Sequence, residues 1–200
     1  MKTLNSASQF LKRHFGIIIA FAIILAATAA TELWLGRSLF GPDGKFGWWE
    51  GNIWSGENSQ RLADPYSFSH IAHGILLYAL LWLTARKIPV RYRFLIASII
   101  EACWELMENS PLIINRYRAV TISLGYVGDS VINSLSDILM LAIGFLFTYH
   151  VKPRIALIAV LLMEIACAFW VRDNLTLNII MLIHPIDTIK HWQMEVAPLS

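Results

Sequence analysis

Three short stretches hold the residues whose types and spacing could do chemistry: DPYSFSHIAHG from Asp64, EACWELMENSP from Glu101 and GYVGDSVINSLSD from Gly125. Tyr66, His70 and His73 recur at i, i+4, i+7, as do Glu101, Glu105 and Glu108, while Asp129, Asn133 and Asp137 follow at steps of four. Each set falls on one helical face. Three carboxylates on one face repel unless one keeps a proton or a cation sits among them. Imidazole and carboxylate together are a ligand set that zinc accepts, with a position left open for water. His70, His73, Glu105 and Asp129 are the expected metal ligands. Without a metal, a histidine beside an Asp or Glu is an acid–base couple. The candidate catalytic set is therefore His70, His73, Glu101, Glu105, Glu108, Asp129, Asn133 and Asp137. H-x-x-H alone is a weak motif, and Asp129 has a plainer reading as a helix N-cap.

The elements that must position these residues are membrane helices. Of the 200 residues, 56% are hydrophobic and only 15% charged, with a mean hydropathy of +0.56, against about a quarter charged in a soluble domain. Apolar runs at 15–36, 67–86, 94–108, 130–149 and 155–171 approach the length that crosses a bilayer. The third run is short and carries the three glutamates. A run at 175–186 is too short to span, is broken by Pro185, and reads as re-entrant or interfacial. The expected fold is an all-α polytopic bundle of about five transmembrane helices plus that short segment, one domain over 1–200. A net charge of +2 argues against a nucleic acid partner. Cys103 and Cys167 lie in apolar runs and read as small buried hydrophobes.

Charge orients the bundle. Lys2, Lys12 and Arg13 precede the first run; Arg86, Lys87, Arg91 and Arg93 fill the second turn; Lys152 and Arg154 fill the fourth. The positive-inside rule puts all three clusters in the cytoplasm, with the C-terminus and loop 37–66 periplasmic in a Gram-negative inner membrane. Trp48, Trp49 and Trp54 in that loop read as interfacial anchors. Met1–Ala29 also has the basic start and apolar centre of a signal peptide. In this topology three helices deliver their polar faces at one depth, near the outer leaflet. Asp137 lies about 12 Å below Asp129 and forms the floor with Glu101, with which it is expected to share a proton or a cation. Pro111 is expected to stop the third helix. Arg116 and Arg118, beyond it, read either as solvated or as an anion clamp over the acids. Glu164, alone in its span, reads as a hydrogen-bonded neutral acid or a proton relay, and Glu32 as reaching water.

The three quoted motifs resemble an uncharacterised family of small multi-pass inner-membrane proteins of rhizobia and their relatives. The specific match runs from about Asp64 to Phe145. Histidine, glutamate and Asp/Asn on successive helices are more distantly similar to VanZ-like membrane proteins. The resemblance implies an inner-membrane location and supplies no activity. No nucleophile elbow, Walker loop or dinucleotide fingerprint is present. Three functions remain: a membrane-embedded, metal-dependent enzyme on a lipid-linked or anionic amphipathic substrate; a lipid or ion binding or transport protein; or a structural subunit of a membrane complex. The lack of an internal repeat weighs against common transporter architectures.

Overall fold

A computed structural model describes residues 2–195, with side chains from residue 14 onward. The side chains of Lys2, Lys12 and Arg13, and the chain end at Ser200, lie outside the described residues. The described residues form helices α1 (Lys2–Trp34), α2 (Ser67–Thr84), α3 (Val90–Glu108), α4 (Pro111–Val120), α5 (Val131–His150), α6 (Pro153–Trp170), α7 (Leu175–Ile183) and α8 (Asp187–Met194). Four are long and apolar enough to cross a membrane: His14–Trp34 of α1, α2, α5 and α6. Leu157, Leu161, Leu162 and Ile165 on α6 are exposed, an outward apolar face that suits lipid rather than water. With 19 residues α3 is as long as these. Its glutamates turn inward with Ala97, Ser98 and Ala102, so its low hydropathy belongs to the bundle's interior rather than to its lipid face.

The tightest pairing is between α2 and α5. A Cβ on Gly74 would collide with the Leu141 carbonyl and the Phe145 amide nitrogen, and one on Gly144 with the Ile71 carbonyl. The two helices thus cross backbone to backbone through reciprocal glycines. Leu81, Ala97, Leu141 and Phe145 form the core toward the opposite end.

The segment expected to be plain loop after α3 contains a further helix. Pro111 does not only follow the end of α3; it occupies the first turn of α4, where its missing N–H has no intrahelical partner to lose. The run at 175–186 is helical only through Ile183. Its first amides are closed by Asn174, which accepts from Leu177 N at 2.8 Å, and by the Glu164 carboxylate, which accepts from Leu175 N at 3.1 Å and Thr176 N at 3.0 Å. Glu164 therefore acts as a helix cap, its charge set against the positive helix end.

Loop 37–66 folds over the start of α5. Ser38 and Leu39 carbonyls accept from Val131 N and Ile132 N. The N-cap is Ser130, whose hydroxyl accepts from Asn133 N at 3.4 Å, and not Asp129 as the plainer reading had it. All 14 acidic residues of the chain fall in the half of the bundle that carries this loop. The other end, at the α2–α3 and α5–α6 turns, bears Arg86, Lys87, Arg91, Arg93, Lys152 and Arg154 without one carboxylate.

Candidate functional site

A cavity of about 350 Å³ lies under loop 37–66 between α2, α3, α5 and α7. His70, His73, Glu101, Glu108, Asp129, Asn133 and Asp137 all line it. His70 is its centre. Its Nδ1 lies 2.6 Å from Glu101 Oε1 and 3.4 Å from Glu105 Oε1, and its Nε2 lies 3.7 Å from Asp137 Oδ2. Glu101 also takes His73, whose Nδ1 is 3.0 Å and 3.2 Å from its two oxygens. Asp137 accepts from Ser67 Oγ at 3.4 Å. The expected direct sharing between Asp137 and Glu101 is not the arrangement found. The His70 ring stands between them, because its two nitrogens point to opposite helices. Glu105 lies behind His70, 1% exposed, and neither of its carboxylate oxygens has a hydrogen-bond partner.

The outer part of the site is completed by Tyr126 and Asn109, to which no spacing in the sequence points. Asp129 Oδ2 accepts from the Tyr126 hydroxyl at 2.9 Å and from Asn109 Nδ2 at 3.3 Å. The same Asn109 amide reaches Glu32 Oε1 and Ser134 Oγ. Glu32 is fully buried, which corrects the expectation that it meets water. Asp64 accepts from Ser59 N at 2.9 Å and Tyr66 N at 2.7 Å, fixing the entry to α2. Burial pushes the Asp129 carboxyl up to about 6 and raises Asp64 and Tyr126 as well. Asn133 donates to the Arg61 carbonyl at 2.9 Å and so ties loop 37–66 to the cavity wall.

The arginine at the acids is Arg37, not the expected pair. Arg37 donates to the Asp129 and Val127 carbonyls at 2.9 Å and 2.7 Å. Arg116 donates to the Leu182 carbonyl and Arg118 to the Tyr126 carbonyl; neither lines the cavity. Arg116 binds α7 and Arg118 the loop before α5, because α4 turns both away from the acids. Gly128, at φ +87°, leaves the space that the Arg37 guanidinium fills.

Three donor groups have ligand atoms within 4.8 Å of one another: His70, His73 and Glu101; His70, Glu105 and Asp137; Glu105, Glu108 and Asp129. The four expected ligands are thus divided, with His70 and Asp129 in different groups that both meet Glu105. Part of the cavity's remaining wall is apolar. Leu76 of α2, Ile100 of α3 and Ile179 of α7 line it while also being 49%, 43% and 46% exposed. The opening between these helices therefore faces where lipid would lie.

Behind the site, Asp173 accepts from the Tyr66 hydroxyl at 3.1 Å, Gln193 Nε2 at 3.0 Å and Asn174 N at 2.9 Å. Burial lifts its carboxyl to about 6 against these bonds, from 3.8 in an open chain. Between those values the folded state holds a proton that the unfolded state has lost, so its contribution to stability is fully present below about 4 and falls as pH rises to about 6. Asp173→Asn should remove that part of the pH dependence, measured as the difference in thermal midpoint between wild type and variant from pH 4 to 7. A difference that does not vary over that range would contradict it.

Residues 32–195 match the family described as "Protein of unknown function (DUF2585)". The chain is 43% identical over 187 residues to a UPF0314 protein of Rhizobium etli (strain CIAT 652), covering 93% of this chain and 96% of that protein. It is 41% identical over 185 residues to a UPF0314 protein of Paracoccus denitrificans (strain Pd 1222), covering 92% and 95%. Over 136 residues it is 50% identical to a UPF0314 protein of Agrobacterium fabrum, covering 68% and 69%. No solved structure matches. The likeness to VanZ-like proteins finds no support in these matches.

Proposed function

The chain belongs to the DUF2585 family, and we propose that it is a membrane-embedded, divalent-metal-dependent enzyme that cleaves or transfers an ester or phosphoester in the headgroup of a lipid-linked substrate. The observation that carries this reading is Glu105. A buried carboxylate whose oxygens make no hydrogen bond, with only the His70 Nδ1 at 3.4 Å from Oε1 and Asp137 beside it, is strongly disfavoured unless a cation or a proton completes it. His70, Glu105 and Asp137 would hold the cation. Zinc suits this donor set, and it supplies a bound water of lowered pKa and polarises an ester or phosphoryl oxygen.

The chain's own residues do the rest. Glu101 takes the His70 Nδ1 proton and leaves Nε2, on the Asp137 side, for the cation. This carboxylate–histidine relay fixes tautomer and ring orientation. His73, held by Glu101 and lining the cavity, is placed for proton transfer to a leaving group. Leu76, Ile100 and Ile179 frame a lateral mouth through which an acyl or prenyl chain stays in lipid while its headgroup reaches the acids. Metal-loaded protein in vesicles should release headgroup from one of a panel of lipid-linked phosphoesters and esters, and His70→Ala should abolish release. Stoichiometric metal without turnover on any of them would favour the binding or transport reading.

The proposed orientation places this site at the periplasmic face of the inner membrane. It is supported by Arg86, Lys87, Arg91, Arg93, Lys152 and Arg154 at the basic end. A reporter active only in the cytoplasm should work when inserted after Lys87 and be silent after Lys45; the reverse would invert the site.

A further inference from the structure

We propose that the site holds two divalent cations bridged by Glu105: an inner one on His70, Asp137 and Glu105, and an outer one on Glu105, Glu108 and Asp129. This rests on the metal-dependent reading above and extends it. Glu105 is the member common to the two groups. Both of its oxygens are buried and make no hydrogen bond, the His70 Nδ1 lying 3.4 Å from Oε1, and a bridging carboxylate offers one oxygen to each ion. An ion bound through one oxygen alone would leave the other without a hydrogen bond.

The surrounding bonds divide in the same way. The inner ligands are held from behind, His70 by Glu101 and Asp137 Oδ1 by the Ser67 hydroxyl. The outer ligand Asp129 is held through Oδ2 by Tyr126 and Asn109, so Oδ1 remains for an ion. Glu108 meets Tyr117. These are the second-shell contacts that orient metal ligands.

Charge points the same way. Asp64, Glu101, Glu108, Asp129 and Asp137 line one cavity and Glu105 lies behind His70, six carboxylates in all. One divalent ion would leave most of that charge uncompensated; two offset most of it, with the Arg37 guanidinium held on the Asp129 carbonyl. Paired ions about 3.5–4 Å apart clamp both the attacking and the leaving oxygen of an in-line displacement. In-line displacement is phosphoryl chemistry, so of the two substrate bonds above the paired ions favour the phosphoester.

The test is metal content after equilibration with Mn²⁺ or Zn²⁺ and removal of free ion. Wild type should carry two equivalents, and the Mn²⁺-loaded protein should give a spin-coupled electron paramagnetic resonance spectrum. Glu108→Gln/Asp129→Asn should keep one equivalent and lose the coupling. One equivalent in wild type with an uncoupled spectrum overturns the bridged pair and leaves the single-metal reading standing. No bound metal overturns both. Loss of both ions in the double variant, with the helical circular dichroism and elution volume of wild type, overturns the proposed division of ligands. Should the double variant fail to fold, the wild-type count and spectrum decide alone.

Discussion

Glu105→Gln is expected to abolish both metal binding and turnover while leaving the bundle folded. The side chain keeps its shape and loses only its charge. In the metal-free protein that charge is a liability, since both oxygens are buried and make no hydrogen bond. The variant in chelator should therefore be at least as heat-stable as wild type in chelator. The difference appears on adding metal. An ion at about a thousand times its dissociation constant stabilises wild type by about 4 kcal/mol, or about 10 °C in a chain of this size, and the variant by nothing. Glu101→Gln should behave differently. It removes the partner that orients His70, and such contacts are worth about 10–100-fold in affinity or activity. Equal metal-induced shifts in wild type and Glu105→Gln would reduce Glu105 to a buried neutral acid.

Gly144→Val should disassemble the site from a position that never touches it. At Gly144 any Cβ overlaps the Ile71 carbonyl, and at Gly74 the Leu141 carbonyl, so neither helix can accept a side chain by moving a rotamer. Overpacking where only rotamers must yield costs about 1–3 kcal/mol; here a backbone must move. Since α2 carries His70 and α5 carries Asp137, the same displacement pulls the inner ligands apart. The expected result is loss of monodisperse protein in detergent, or folded protein without bound metal. Gly16→Ala is the control, with nothing within 4 Å of its added carbon. A Gly144→Val protein with wild-type stability and metal content would show that the α2–α5 crossing is not the clamp described.

The faces of α2, α3 and α5 were legible because helical periodicity alone aligns His70 with His73, the three glutamates, and Asn133 with Asp137. The apolar runs were legible for the same reason that lipid requires them. What was not legible came from pairs with no periodic relation. Arg37 reaches Asp129 across 92 positions, and Asn109 reaches Glu32 across 77. Arg116 and Arg118 look like a clamp by residue type, but α4 aims them at carbonyls. That helix was hidden because its ten residues are neither apolar nor long, with Pro111 read as an end instead of a beginning. Asp129 and Ser130 are both good caps by type, and the backbone ladder of α5 chose the second. Asp137 lines the cavity but faces His70 rather than Glu101, since spacing along one helix does not show what lies between two.

The most direct measurement of the central claim is an anomalous difference map from crystals of the zinc-loaded protein, collected above and below the zinc edge. The account predicts density at the Glu105 carboxylate, between His70 Nε2 and Asp137, with the lateral mouth beside Leu76 and Ile100 open. Density confined to surface histidines such as His184 or His191, or none in a protein that retains activity, would contradict it.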